Sequence, residues 1–260
     1  MFKKMLASVG IGNAKVDTVL SNTNVQIGGL VTGSVNVTGG NVEQKVENIY
    51  LEVTTMYNDV NDDDEGPSTT MNSAVVQKIT IPINSVLGVK QTAQVPFQFI
   101  LSSQTPVTHG KTKVWIRTGL DIKGAIDPKD RDYLTVHPHP YMNVVMEAMG
   151  AMGFQLKSAE NEVSNKGIGV PFVQEFEYKP TQAFNKQIHE LDIVFYVYHN
   201  EGLGMTVEVD RKARGLKGIL QHAVGKGESN VNVRFTHDEL AQGVSLVGNR
   251  MYQIIESYAK

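Results

Sequence analysis

The sequence predicts an all-β protein of two β-sandwich domains in tandem, with a short helix at the N-terminus and a longer one at the C-terminus. Three observations predict it. Apolar residues recur at every second position through long stretches, which is the period of a strand that buries one face. Clusters of turn formers interrupt these runs at intervals suited to an antiparallel sandwich. A break around Pro138 and Pro140, at alternate positions that a central strand does not tolerate, divides the pattern into residues 1–134 and 135–260.

The elements follow in chain order. Met1 to Val9 places Phe2, Met5, Leu6 and Val9 on one side of a helical turn or two, read as a segment docked on the domain. Val25, Ile27, Val31, Val35 and Val37 then keep to odd positions, and Ile49, Leu51, Val53 and Tyr57 repeat the pattern. Further sets are Ile79, Ile81 and Ile83, then Val95, Phe97, Phe99 and Leu101, then Val114, Ile116, Leu120 and Ile122. The stretch from Asp127 to Met142 reads as an interdomain connection. Val144, Val145, Met149 and Met152 have the spacing of a core-facing helix, weakened by Gly150 and Gly153. Strand patterning resumes over Val170–Tyr178, Leu191–Tyr198, Met205–Val209 and Val231–Phe235. Thr236 and Glu239 then form a capping box, with Leu240, Val244, Val247, Met251, Ile255 and Tyr258 at helical spacing behind it.

Composition narrows the function classes. At 260 residues the chain has ample apolar surface for a core. A formal charge of −3 exerts no global pull on nucleic acid or anionic lipid, so any electrostatic partner must be read by a local patch. The absence of cysteine excludes disulfides, thiolate zinc sites and thiol catalysis, and suits a reducing cytoplasm. The apolar run at the N-terminus is too short for a signal-peptide core, and no stretch reaches the length of a membrane span. A cytoplasmic protein is expected.

Candidate sites are few. The stretch YNDVNDDDEGPS gathers Asp59, Asp62, Asp63, Asp64 and Glu65, but fails as a calcium loop because Asp64 stands where glycine is needed and Thr70 where the bidentate glutamate belongs. It reads as a solvated strand connection, closed by Gly66, Pro67 and Ser68. Opposite in sign is the stretch holding Arg211, Lys212, Arg214, Lys217 and Lys226 without an acid. Asp62, Asp63, Asp64, Glu65, Arg211, Lys212, Arg214 and Lys217 are therefore the partner-binding candidates, since local fields of this kind select partners. The basic stretch lacks the interleaved aromatics of a nucleic-acid surface, and no nucleic acid is expected. His137 and His139 alternate as two metal ligands on one strand face would, but they sit among prolines and lack an evident third ligand. They carry the competing reading of a metal- or small-molecule-binding β protein. Gly225-Lys226-Gly227 and Gly10-Ile11-Gly12 each lack the residues that complete a phosphate-binding loop, and no nucleophile elbow or zinc-protease motif occurs. No catalytic residue and no cofactor are expected.

The segments KKMLASVGIGNAKVDTVL, GGLVTGSVNVTGG and DIKGAIDPKDRDYLTVHPHP together resemble the SpoOM-type bacterial sporulation-control family, over nearly the whole chain. That resemblance implies an arrestin-like pair of sandwich domains and a cytoplasmic regulator of early sporulation and cell-shape processes, acting through protein partners and without a reaction. It carries over no individual functional residue. Exposed sandwich edges would offer a partner, or a second copy of the chain, free backbone groups to pair with.

Overall fold

The computed structural model describes residues 14–63, 66–122, 130–198, 201–211 and 228–259, with the backbone alone described at 60–63, 66, 67, 228 and 229. The N-terminal helix expected over Met1–Val9 lies outside the described residues. The chain divides into two compact units. One comprises residues 1–56, 71–108 and 113–137, the other residues 57–70, 109–112 and 138–260.

In the first unit the strands are β1 (Lys15–Leu20), β2 (Asn24–Gln26), β3 (Leu30–Thr38), β4 (Gln44–Asp63), β5 (Gly66–Leu87), β6 (Thr92–Ile100), β7 (Val114–Leu120) and β8 (Asp130–His137), with the far end of β4 and the start of β5 belonging to the second unit. One sheet has the order β1-β3-β6, and the other runs β4-β7-β8-β2 with β5 paired to β4. The alternation in the sequence explains the core. Val31, Val35 and Val37 of β3, Ile49, Leu51 and Val53 of β4, Ile116 and Leu120 of β7, and Leu134 and Val136 of β8 are all buried. A 2.7 Å hydrogen bond between the hydroxyls of Thr18 and Thr118 joins β1 to β7 inside this core.

Two readings of this half need correction. The connection assigned to Asp127–Met142 contains strand β8, paired antiparallel with β7 and parallel with β2. Leu134 and Val136 keep the period of two, and only Pro138 onward breaks it. The acidic stretch is also mostly strand: β4 runs through Asp63 and β5 begins at Gly66.

The second unit is a meander of five antiparallel strands, β9 (Phe154–Val163), β10 (Phe172–Pro180), β11 (Ile188–Tyr198), β12 (Gly202–Arg211) and β13 (Glu228–Thr236), in sequential order. Asn58 of β4 pairs with Glu162 of β9 in parallel. A second sheet is expected here from the sequence; among the described residues, helices pack on the sheet instead. They are α1 (Pro140–Ala151), α2 (His237–Ala241) and α3 (Val244–Tyr258). Met142, Val145, Ala148 and Met149 of α1 and Val247, Met251 and Ile255 of α3 form buried stripes. On the strands, Phe176, Tyr178, Leu191, Ile193, Val207, Val209 and Phe235 are buried with them. Burying each such side chain contributes about 1.5–3 kcal/mol, so the apolar stripes fix which face of the meander is left outside.

The capping box forms as the sequence predicts, Thr236 Oγ1 accepting from the Glu239 N–H and Glu239 from the Thr236 N–H. The single closing helix does not. Gly243, with φ 86° and ψ −171°, separates α2 from α3.

Candidate functional site

Period two places the alternate residues of β9 to β12 on the outer face, and each strand carries an acid-x-acid pair there: Glu160 and Glu162, Glu175 and Glu177, Glu190 and Asp192, Glu208 and Asp210. Register then sets like charges against each other. Glu160 is opposite Glu175, Glu177 opposite Asp192, Asp192 opposite Glu208, and Glu190 opposite Asp210. Ser158, Glu160, Glu162, Glu175, Glu177, Glu190 and Asp192 line a groove of about 410 Å³ on this face.

Some of the charge is answered locally. Asn58 Nδ2 donates to Glu162 at 2.7 Å and to Glu160 at 3.3 Å. Lys179 donates to Glu190 and lies 3.2 Å from Glu177, which also accepts from Ser158 at 3.0 Å. The hydrogen bond to Glu190 is the main cause holding the Lys179 ammonium above its ordinary pKa. Asp192 is pushed up to about 7, first by burial and then by the charges of Glu190, Glu175, Glu177 and Glu208. The face is thus crowded with carboxylates, and a cation arriving there meets a field of one sign.

At the end of this face, His189 Nδ1 stands 3.2 Å from Asp210 Oδ2 and 3.5 Å from Glu190 Oε2. The register between β11 and β12 slips at this point, with Ile188 opposite Arg211 and Glu190 opposite Asp210. His189 is the extra residue of that bulge.

Of the residues singled out from sequence, those that the structure describes are not among these acids. His137 ends β8 and is exposed, while His139 caps α1, its Nδ1 accepting from the Tyr141 N–H at 3.2 Å. His137 belongs to the first unit and His139 to the second. Asp62 and Asp63 belong to β4, and Arg211 closes β12. Asp64, Glu65, Lys212, Arg214 and Lys217 lie outside the described residues. The acids of this face are not among the candidates read from sequence, although the fourfold recurrence of acid-x-acid in SAENEV, QEFEY, HELDI and VEVDR is a visible signal for it.

The fold defines a mostly β protein of two compact units, and among the described residues no helix is long and apolar enough to cross a membrane. A family model described as SpoOM protein matches residues 2–213, and the chain belongs to that family. The sporulation-control protein Spo0M of Bacillus subtilis (strain 168) is 38% identical over 261 residues, covering 100% of this chain and 99% of that one. The crystal structure of Spo0M from Bacillus subtilis is similar at a TM-score of 0.81 with 36% identity, covering 95% of this chain and 100% of that one.

Proposed function

We propose that the chain is a cytoplasmic, non-enzymatic regulator of sporulation or cell-shape processes, working as an arrestin-like interaction module that recruits a basic segment of a protein partner. The observation that carries this reading is the direct opposition of Glu160 and Glu175 beside three further opposed acid pairs on the outer face of β9 to β12. Like charges in register weaken a sheet, and a Lys- or Arg-rich partner relieves that repulsion while the field speeds its approach. Similarity to the sporulation-control protein of Bacillus subtilis supports the process named. The acidic run Asp62 to Glu65 and the basic run Arg211 to Lys217 are kept in this proposal as secondary recruiting patches.

The test uses the full chain and an oligolysine peptide. Binding at low salt that weakens steeply with ionic strength, and that drops in the Glu160→Gln, Glu175→Gln double variant, is the expected result. In cells, the natural chain should restore sporulation to a Bacillus subtilis strain deprived of its own Spo0M, and the double variant should restore it less. Equal binding and equal restoration by the double variant would remove the acidic face from the function.

A further inference from the structure

We propose that His189, Glu190 and Asp210 form a binding site for a divalent first-row transition cation, with zinc as the type case. Alternation along a regular strand turns adjacent side chains to opposite faces, so His189 would ordinarily point away from Glu190. The bulge in β11 cancels that alternation and turns both toward Asp210 of β12. One ligand atom from each residue then lies within 4.8 Å of the other two.

The separations suit coordination. Two ligands about 2.1 Å from a zinc ion lie about 3.0–3.4 Å apart, depending on whether the angle between them is square or tetrahedral. The Nδ1 of His189 meets that condition against Asp210 at 3.2 Å and nearly meets it against Glu190 at 3.5 Å. An imidazole with two carboxylates is the donor set of borderline cations, whereas calcium and magnesium take oxygen ligands alone. Three protein ligands leave the remaining positions to water, as in an open zinc site. His189 is 54% exposed at its side chain, which gives the ion a path in, while Asp210 at 14% and Glu190 at 29% hold the inner side.

Lys179 is the resident competitor. Its ammonium donates to Glu190 and lies 3.2 Å from Glu177, so it can surrender Glu190 and keep a carboxylate partner. A metal arriving at Glu190 therefore displaces one hydrogen bond without stranding the lysine. The neighbouring Asp192 and Glu208 add negative potential on the same sheet face. The site shares Glu190 with the groove that holds Glu160 and Glu175, but zinc is titrated alone, so the result does not depend on any partner.

The full chain, stripped with a chelator, is titrated with zinc chloride alone by calorimetry and equilibrium dialysis. One equivalent should bind. His189→Ala and Asp210→Asn should each weaken binding by more than the roughly 10–100-fold that loss of an outer-shell partner costs. Lys179→Met should tighten it, an effect that a purely structural role for these residues would not produce. Circular dichroism checks that each variant stays folded. His137→Ala and His139→Ala should leave the zinc isotherm unchanged. Absence of stoichiometric zinc in the natural chain overturns the proposal, as does zinc binding that survives His189→Ala.

Discussion

Glu175 stands directly opposite Glu160 across β9 and β10, and its carboxyl is held above the usual range by burial first and then by the charges of Glu162 and Glu208, against the pull of Lys166. Directly opposed like charges cost a sheet a few tenths of a kcal/mol to about 1 kcal/mol. Glu175→Gln should therefore raise the stability of the chain by that order at low salt. The gain should shrink at about 1 M salt, where the Debye length falls to about 3 Å. Urea unfolding at the two salt concentrations measures it, and a variant less stable than the natural chain at low salt would contradict the repulsion argument.

Asp132 gives a pH prediction in the other unit. Its carboxyl is pushed up to about 7, chiefly by burial, then by the charge of Asp130, a hydrogen bond with it, and the charge of Asp17. The folded chain thus holds a proton that the unfolded chain, near 3.8, has released. The stabilisation from this group is fully present below about pH 4 and is lost as pH rises through about 7. Asp132→Asn should flatten that part of the profile, so that the natural chain and the variant diverge most above neutral pH. Unfolding midpoints measured on both sides of neutrality decide it; parallel profiles would show that Asp132 is ionised throughout.

Tyr178 is buried at 2% exposure, and its hydroxyl has no hydrogen-bond partner among the described residues. Burial alone pushes its ionisation well above the ordinary tyrosine value. An unsatisfied buried hydroxyl costs on the order of 1–3 kcal/mol, whereas the ring itself is well placed against the core. Tyr178→Phe should leave the fold intact and raise stability by about 1 kcal/mol. A loss of stability on thermal unfolding would mean that the hydroxyl has a partner after all.

Legibility from sequence tracks the clarity of alternation. Ile49, Leu51 and Val53 announce β4 because apolar and polar side chains alternate cleanly around them. On β11 the same holds: Leu191 and Ile193 are buried, while Glu190 and Asp192 take the outer face. Strand β9 escapes such a reading because its inward residues include Ala159 and Asn161 and its outward ones Ser158, Glu160 and Glu162, so no apolar period survives. The acidic face is written in the sequence only strand by strand. Which acids oppose one another depends on register, and register is fixed by the buried face. The approach of His189 to Asp210 is further from view, since strict alternation separates His189 from Glu190 and only the bulge reunites them.

Two glycines near the C-terminus give opposite signs for one substitution. Gly243 breaks the closing helix with φ 86° and ψ −171°, a backbone region that is essentially glycine's alone, although the space around a Cβ there is open. Gly243→Ala should cost about 1–3 kcal/mol through backbone strain, without any steric clash. Gly248 sits inside α3 with helical neighbours on both sides, and a Cβ built on it meets only Ala148 of α1, at an ordinary contact distance of 3.7 Å. Alanine there removes the helix penalty of glycine, about 0.8–1 kcal/mol, and adds a methyl contact across the α1–α3 seam. Gly248→Ala should therefore raise the melting temperature and Gly243→Ala should lower it, both measured by thermal unfolding of the full chain. If Gly248→Ala lowered it, the helices would be packed too closely for one more methyl. If Gly243→Ala left it unchanged, the break between α2 and α3 would be free to adopt a conformation open to any residue.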